Sequence, residues 1–242
     1  MMRINTVAVS CAVGCAALAA MIAAQPSLAV FLPALLKAAV MTLEITAGAA
    51  CVAVPMALLA ALLKMYAPLP LRWFAIAYIE VFRGTSALVQ LFWLFFVLPH
   101  FGVELQPVPA SIIALGLNIG AYGAEVVRGS IQSVARGQWE ATVALNMAFP
   151  TAMRRVILPQ AFVAMIPPWG NLFIELLKST SLVSLITVAD LTFRAQQLNQ
   201  LTFKTVPIFT VVLFLYLVMA VCMTLIFRWI EARASKGRLG RP

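Results

Sequence analysis

Three pairs of oppositely charged residues lie inside otherwise apolar sequence. In each pair the acid precedes the base by three residues, and the pairs are Glu80–Arg83, Glu125–Arg128 and Glu175–Lys178. This spacing places both side chains on one face of a helix, within reach of each other. Because an ionised group is costly in hydrocarbon, such residues usually neutralise one another or face a polar cavity. Both interpretations stay open for Glu125–Arg128, and a polar pathway is favoured for the other two pairs.

Polar residues that could bind a small solute lie beside these pairs. Asn118 and Tyr122 are four residues apart in a glycine- and alanine-rich segment, so they share a helix face. Small residues also let helices pack closely in lipid, and that alternative would explain the glycines and alanines. Pro167–Pro168 and Gly170–Asn171 are expected to distort their helix, as often happens near solute sites. The predicted pathway residues are Glu80, Arg83, Asn118, Tyr122, Glu175, Lys178, Thr180 and Ser181.

Other reactive side chains do not form a recognisable catalytic or metal site. The four cysteines lie in apolar runs without a C-x-x-C pair, and the single histidine, His100, ends an apolar segment. We interpret the cysteines as buried apolar residues and His100 as a loop residue, so no metal site is predicted. The sequence also lacks the phosphate-binding motif G-x-x-x-x-G-K-S/T. The chain is therefore not predicted to be an enzyme.

The composition predicts an integral membrane protein. Of the 242 residues, 63% are hydrophobic and 10% are charged. So few charged residues cannot provide the polar surface that a soluble domain of this length needs. The seventeen Lys and Arg residues outnumber the eight acidic residues, and the formal net charge is +9. The basic residues are scattered between apolar segments and do not form a stripe with aromatic residues. This distribution indicates cytoplasmic loops and no nucleic-acid partner.

Six apolar segments are candidates for crossing a hydrocarbon layer, which takes about 20 helical residues. The candidates are 4–24, 33–63, 73–98, 109–127, 156–188 and 206–230. Lys and Arg residues place the gaps at 64–72 and 128–155, and the tail after 230, in the cytoplasm. The gaps at 25–32 and 99–108 contain no Lys or Arg and are predicted to lie outside. We therefore predict an all-α polytopic membrane protein with five helices of one transmembrane domain and an extra N-terminal span.

The segment 4–24 has a second interpretation, because Arg3 precedes it and alanines end it, as in a cleaved signal peptide. Retention is favoured since the apolar run is long for a signal peptide. We divide the chain into an N-terminal segment at 1–30, a transmembrane domain at 31–232 and a basic cytoplasmic tail at 233–242.

The segment 138–148 is helical in pattern but too short to cross a membrane. Its larger apolar residues recur every four positions and its small residues occupy the other side. The first set is Trp139, Val143 and Met147, and the second is Ala141, Ala144 and Ala148. Two nonpolar sides predict a helix on the cytoplasmic surface, with the Trp139 side on the membrane domain and the alanine side on a partner. A helix resting in lipid is the alternative, but the alanine side lacks bulky anchors.

This segment and its neighbours resemble a known family. EAT at 140–142, Asn146 and VILP at 156–159 are similar to the E-A-A, glycine, I-x-L-P signature of membrane subunits of bacterial ABC importers. GAYGAEVVRGSIQSVARGQWEATVALNM at 120–147 and YIEVFRGTSALVQL at 78–91 resemble the branch that imports polar amino acids and opines. The resemblance extends over about residues 30–230.

The resemblance implies a role for the short helix. In that family it is the coupling helix, which docks on a cytoplasmic ATPase subunit, and here it would occupy about residues 137–148. The implied docking residues are Gly137, Glu140, Ala141, Ala144, Leu145 and Asn146. This sequence departs from the family pattern at Thr142, where a second alanine is usual, and at Asn146, where glycine is usual. Because asparagine tolerates a left-handed backbone, the turn after the helix is still expected to form.

The solute implied by the resemblance is a polar amino acid or a related zwitterion. Ser179 replaces an aspartate that is common in the branch, and Glu175 replaces a frequent serine. The GAYGAEVVRG run, together with Asn146 and Glu175, is similar to members assigned to ectoine and hydroxyectoine. These compact zwitterions therefore join the amino acids as candidate solutes.

The resemblance also implies partners and a location. The chain would be a permease of the bacterial inner membrane that works with a second permease, identical or related, two cytoplasmic ATPase subunits and a periplasmic solute-binding protein. ATP and Mg²⁺ would bind to the ATPase subunits, so we expect no cofactor on this chain. An ion- or proton-coupled secondary transporter is the alternative, but it leaves the short cytoplasmic helix unexplained. A membrane anchor of a redox complex would need paired histidine or cysteine ligands, which the sequence lacks.

Overall fold

The computed structural model describes residues 31–235, which form helices joined by short turns, without a β-strand in this range. The α-helices are α1 (Leu32–Tyr66), α2 (Leu69–Gly84), α3 (Ala87–Phe92), α4 (Pro107–Gln132), α5 (Arg136–Ala144), α6 (Phe149–Ala152), α7 (Leu158–Ser179), α8 (Leu191–Thr202) and α9 (Thr205–Ser235). π-Helical turns at Trp93–Val97 and Met153–Ile157 extend α3 and join α6 to α7, and 3₁₀ turns follow at Leu98–Phe101 and Thr180–Ile186. The predicted all-α class is confirmed. The segment 1–30 and residues 236–242 lie outside the described residues.

Helices α1 and α4 form the centre of the structure and run in the same direction. Gly116 of α4 lies against Val52 of α1, and Gly123 of α4 lies against Ala57, so the contacts advance together along both helices. Only a residue without a side chain fits here, because a Cβ atom on Gly116 would lie 2.7 Å from the Cβ of Val52. Close packing of small residues in a membrane is therefore one use of the glycine-rich segment.

Helices α2 and α3 are the two halves of one broken span. Their axes differ by 108°, and Thr85 between them has an extended backbone. Helix α2 follows α1 after a two-residue link, and α4 follows the 3₁₀ turn after α3. Because α1 and α4 run in the same direction, the chain between them must cross the membrane once. Together with α1, α4, α6–α7 and α9, the described residues thus contain five spans.

The adjacent prolines do not interrupt α7, and the distortion expected there stays a prediction. The helix continues from Leu158 to Ser179 with Pro167 and Pro168 inside it. Each proline removes an amide donor from the helix. The next residues, Trp169 and Gly170, are buried, and this packing helps to offset the two lost hydrogen bonds. The break in a membrane helix lies instead between α2 and α3.

Helix α8 covers the outer ends of α1 and α9. It packs in a small core with Leu35 from α1 and Ile208 from α9, to which it contributes Leu191 and Ala195. The amide of Leu191 also donates a hydrogen bond to the Thr42 hydroxyl of α1 over 3.2 Å. The outer loop between α7 and α9 is thus packed onto the membrane domain.

Candidate functional site

The break between α2 and α3 releases backbone carbonyls, and side chains bind them. The carbonyl oxygen of Phe82 accepts hydrogen bonds from Gln90 Nε2 at 2.9 Å and from Asn118 Nδ2 at 3.1 Å. Gln90 Nε2 also donates to Thr85 Oγ1 at 2.7 Å, and Gln90 Oε1 accepts from Asn118 Nδ2 at 3.1 Å. Because hydrocarbon offers no hydrogen bonds, these amides make the break possible inside the membrane domain.

Arg83 and Tyr122 extend this group of polar residues. Tyr122 Oη donates to the carbonyl oxygen of Arg83 at 3.4 Å, and the Arg83 guanidinium carbon lies 5.5 Å from the centre of the Tyr122 ring. The ring face attracts the cation, while the exposed guanidinium can still bind an anion. We name this group the helix-break cluster, and its members are Arg83, Thr85, Gln90, Asn118 and Tyr122.

Lys178 and Ser181 line a second polar site, a cavity of about 520 Å³ between α7 and α9. The phenol of Tyr216 contributes to its wall, and apolar residues of α9 form most of the remainder. Ser181 Oγ donates to the carbonyl oxygen of Lys178 at 2.9 Å. An ammonium group and hydroxyls in an apolar groove can bind a carboxylate. This cavity shares no lining residue with the helix-break cluster.

The structure therefore divides the predicted pathway residues. It brings Arg83, Asn118 and Tyr122 together in the helix-break cluster, and it places Lys178 and Ser181 at the second cavity. Thr180 is fully buried and its hydroxyl donates to the carbonyl oxygen of Leu177 at 2.6 Å. The remaining two residues, Glu80 and Glu175, are exposed and line neither site. A role of all eight in solute passage stays a prediction.

Of the three acid–base pairs, only Glu125–Arg128 is an ion pair among residues 31–235, with 2.6 Å between Arg128 Nη2 and Glu125 Oε2. Glu125 also binds Lys64 of α1, with 2.6 Å between Nζ and Oε1. Neutralisation is thus what the structure shows for this pair. The Lys64 contact was not predicted, because its partners are 61 residues apart in the chain.

Helix α5 presents the implied docking residues at the surface. All six are exposed: Gly137, Glu140, Ala141, Ala144, Leu145 and Asn146. The expected turn after the helix is present, since Asn146 has a φ of 49° in the left-handed region. On the other side of α5, Trp139 packs against the main core and Thr142 is only 5% exposed.

The orientation predicted for Val143 is wrong. Its side chain is 78% exposed, whereas Thr142 is buried and its hydroxyl donates to the carbonyl oxygen of Trp139 at 2.7 Å. The inward face therefore follows a spacing of three residues and not four, and the helix already ends at Ala144. A threonine can be buried here because it hydrogen-bonds within its own helix. Val143 and Leu145 together form an apolar exposed surface.

Sequence reasoning missed Gln90, which contacts both halves of the broken span. The signal was present, because Gln90 is the only polar residue of the apolar run ALVQLFWLFFVL at 87–98. Thr85 could not be found from such a signal, since a threonine after an arginine and a glycine is common in loops.

Comparisons with known proteins agree with this architecture. Residues 53–236 match a family model described as "Binding-protein-dependent transport system inner membrane component". The chain is 50% identical over 171 residues to "Probable amino-acid ABC transporter permease protein y4tF" of Sinorhizobium fredii, covering 68% of this chain and 72% of that protein. It is 42% identical over 182 residues to "L-cystine transport system permease protein TcyB" of Bacillus subtilis, covering 75% and 78%. A solved structure titled "Crystal structure of an amino acid ABC transporter with histidines" superposes with a TM-score of 0.82 at 37% identity, covering 86% of this chain and 97% of that chain.

Proposed function

This chain belongs to the family of binding-protein-dependent transport system inner membrane components, as an ABC transporter permease, and from that premise we propose what it transports and how. The solute is a polar amino acid or a related zwitterion, and it crosses the bacterial inner membrane through this chain. The observation that supports the proposal best is the helix-break cluster, where a cation, two amides and a phenol lie together inside a membrane domain. Membership of this family favours the importer over the ion-coupled secondary transporter.

A zwitterion in a low-dielectric cavity needs counter-charges or hydrogen bonds for both of its ends. In our proposal, Arg83 or Lys178 binds the carboxylate and Glu175 binds the cationic nitrogen. Asn118, Tyr122 and Ser181 orient the solute without adding charge. The exposed carboxylates of Glu80 and Glu175 suit a cationic group, and their exposure leaves them accessible to a solute or to a second permease.

The similar permeases narrow the solute within this class only in part, because they support an amino acid while two residues of this chain differ from the amino-acid branch. The names of two similar permeases mention amino acids and L-cystine, which supports an amino acid. Glu175 and Ser179 differ from the pattern of the amino-acid branch, and the GAYGAEVVRG run with Asn146 and Glu175 resembles permeases assigned to ectoine and hydroxyectoine. Both classes carry at least one carboxylate and one cationic nitrogen centre, so the same sites would serve them.

The energy for transport comes from separate subunits in this proposal. Two ATPase subunits bind ATP and Mg²⁺, one docking on the exposed surface of α5, and a periplasmic binding protein delivers the solute to this permease and a second one. The chain itself contains no phosphate-binding motif. The exposed Val143 and Leu145 beside Ala141 and Ala144 give α5 a surface that a protein groove would cover.

The test is reconstitution of the permease with the ATPase, second permease and binding protein of the same organism. Liposomes would be loaded with Mg-ATP, and uptake of labelled glutamine, histidine, arginine, cystine and ectoine would be measured. We expect uptake of at least one of them that requires both ATP and the binding protein. Uptake that proceeds without ATP, or no uptake of any of these solutes, would contradict the proposal.

The docking surface is tested in the same liposomes with Ala141→Trp. A bulky ring on α5 should lower both ATPase association and uptake about tenfold, because a clash of about 1.4 kcal/mol weakens association by that factor. Leu59→Trp, at a residue of α1 that is 53% exposed, is the matched control and should leave uptake unchanged. Wild-type uptake by the Ala141→Trp permease would remove α5 from the docking surface.

A further inference from the structure

Glu125 uses both of its carboxylate oxygens to join two helices near the cytoplasmic surface. Its Oε1 accepts from Lys64 Nζ of α1 at 2.6 Å, and its Oε2 accepts from Arg128 Nε at 2.9 Å and Nη2 at 2.6 Å. Arg128 Nη1 in turn donates to Gln132 Oε1 at 2.8 Å, at the last residue of α4. We name Lys64, Glu125 and Arg128 the ionic triad.

The triad lies next to residues 136–153, which contain α5 and which we name the docking segment. Helix α5 begins at Arg136, four residues after the end of α4 at Gln132. Tyr66 lies two residues after Lys64 in α1, and it contacts Phe149 and Met153 at the other end of the docking segment. Its ring centre is 5.4 Å from that of Phe149, and its hydroxyl lies 3.9 Å from the sulfur of Met153. The docking segment is thus attached at one end to α4 and at the other end to α1.

The same helix α4 reaches the helix-break cluster. Tyr122 and Asn118 precede Glu125 by three and seven residues, so about one and two turns of helix separate them from the triad. Their side chains bind the backbone of Phe82 and Arg83 at the end of α2. A displacement of the cytoplasmic end of α4 is therefore passed directly to the carbonyls at the break.

The remainder of the α1–α4 contact consists of small and apolar residues. Gly116, Gly120 and Gly123 lie against the backbone or side chains of α1, and these contacts are not directional. In the part of the chain that the structure describes, Lys64–Glu125 is the single side-chain hydrogen bond between α1 and α4. Directional hydrogen bonds to an ionised group are stronger than neutral ones. The triad therefore adds a directional contact between the cytoplasmic ends of α1 and α4 to the packing of small residues.

We propose that Glu125 is a positioning residue that makes α1 and α4 move as one unit when the ATPase displaces α5. This inference rests on the proposed function. Without the triad, α5 can still dock and ATP can still be hydrolysed, but the movement of the docking segment is divided between two helices whose cytoplasmic ends are no longer joined by an ion pair. Less of that movement then reaches the helix-break cluster, and fewer solute molecules cross per ATP hydrolysed.

The experiment measures solute uptake and ATP hydrolysis in the same liposomes that contain the complete importer. For Glu125→Gln and Lys64→Gln we expect the number of solute molecules per ATP to fall about fivefold, in the range of couplings carried by packed networks, while ATP hydrolysis changes less than about twofold. Lys64→Arg keeps the cation and should restore the wild-type ratio. Glu104→Gln, at an exposed carboxylate with no ion pair among the described residues, is the matched control and should not change the ratio.

Three outcomes would overturn the inference. An unchanged ratio in both Gln variants would show that the triad does not transmit movement. A parallel fall of uptake and ATP hydrolysis would show a purely structural role, as would failure of Lys64→Arg to restore the ratio. Absence of ATP-driven uptake in the wild-type protein would instead overturn the proposed function on which the inference rests, and that result is recognisable without any variant.

Discussion

Asp190 is a fully buried carboxyl at the start of α8. Its Oδ1 accepts a hydrogen bond from the backbone amide of Phe193 at 2.8 Å, which caps the helix. Its Oδ2 is buried without a hydrogen-bond partner in the described structure. Burial disfavours the charged carboxylate and raises the pKa of Asp190 from 3.8 to about 6.

This raised pKa predicts a pH dependence of stability. The pKa of Asp190 in the folded protein lies above its ordinary value of 3.8. The protonated carboxyl therefore stabilises the fold fully below about pH 3.8, and this stabilisation is lost as the pH rises through about 6. The loss amounts to about 3 kcal/mol at about 1.4 kcal/mol per pKa unit. Asp190→Asn keeps the capping oxygen but cannot ionise, so we expect it to remove this decline and to unfold at a higher temperature than wild type at pH 8.

The measurement is thermal unfolding of the purified protein in detergent between about pH 3.5 and 8, which covers the window between the ordinary pKa of 3.8 and the raised pKa of about 6. Glu104→Gln changes an exposed carboxylate of the outer loop and serves as control, with the wild-type pH dependence expected. Equal pH dependence of Asp190→Asn and wild type would show that burial does not raise the pKa of Asp190.

At the scale of the helices, the contact between α1 and α4 depends on glycine. A Cβ atom at Gly116 would lie 2.7 Å from Val52 Cβ and 3.0 Å from the carbonyl oxygen of Ala49. No atom of another element lies within 4 Å of such a Cβ at Gly129, although Gly129 is in the same helix. The two positions therefore separate the effect of helix packing from the effect of helix propensity.

We expect Gly116→Ala and Gly129→Ala to change stability in opposite directions. The first forces α1 and α4 apart and should destabilise the fold by about 1–3 kcal/mol, the usual cost of overpacking. The second replaces glycine by a better helix former and should stabilise by up to about 1 kcal/mol. Midpoints of thermal unfolding of the two variants decide this, and equal shifts would mean that α1 and α4 are not in close contact.

At the scale of the whole molecule, the parallel direction of α1 and α4 decides the topology. If the bent segment between them were a re-entrant loop, both of its ends would lie on one side and α1 and α4 would run in opposite directions. The observed contacts of Gly116 and Gly123 with Val52 and Ala57 rule out that arrangement. The loop after α3 and helix α5 must therefore lie on opposite sides of the membrane, α5 being on the side of the arginine-rich gap.

Cysteine labelling tests this topology. Val103→Cys in the loop after α3 should react with an impermeant maleimide added to spheroplasts, and Val143→Cys on α5 should react only in inside-out vesicles. Both positions are exposed, at 48% and 78%. Wild-type protein measures the background from its own cysteines. Reaction of Val103→Cys from the cytoplasmic side would reverse the order of the spans.

The spans, the cytoplasmic gaps and the short surface helix could be predicted from the sequence, because each depends on a pattern that is local in the chain. Hydropathy over about 20 residues located the spans after residue 33, and the distribution of basic residues predicted which gaps are cytoplasmic. The exposed short helix and the left-handed turn at Asn146 were predicted because each depends on residues within one or two turns. The spacing of Glu125 and Arg128 likewise placed both side chains on one helix face, although only the structure showed that they form an ion pair.

Only the tertiary structure decided features that join distant parts of the chain. The broken span at Thr85 exists because Gln90 and Asn118 bind the carbonyl of Phe82, and the adjacent prolines leave α7 continuous within its packing. Lys64 and Glu125 form an ion pair although they are 61 residues apart in the chain, and no rule of sequence spacing predicts such a pair. The sequence determines which residues prefer lipid, water or a helix, because these preferences are local. Which backbone groups are released, and which side chains bind them, depends on how the helices pack.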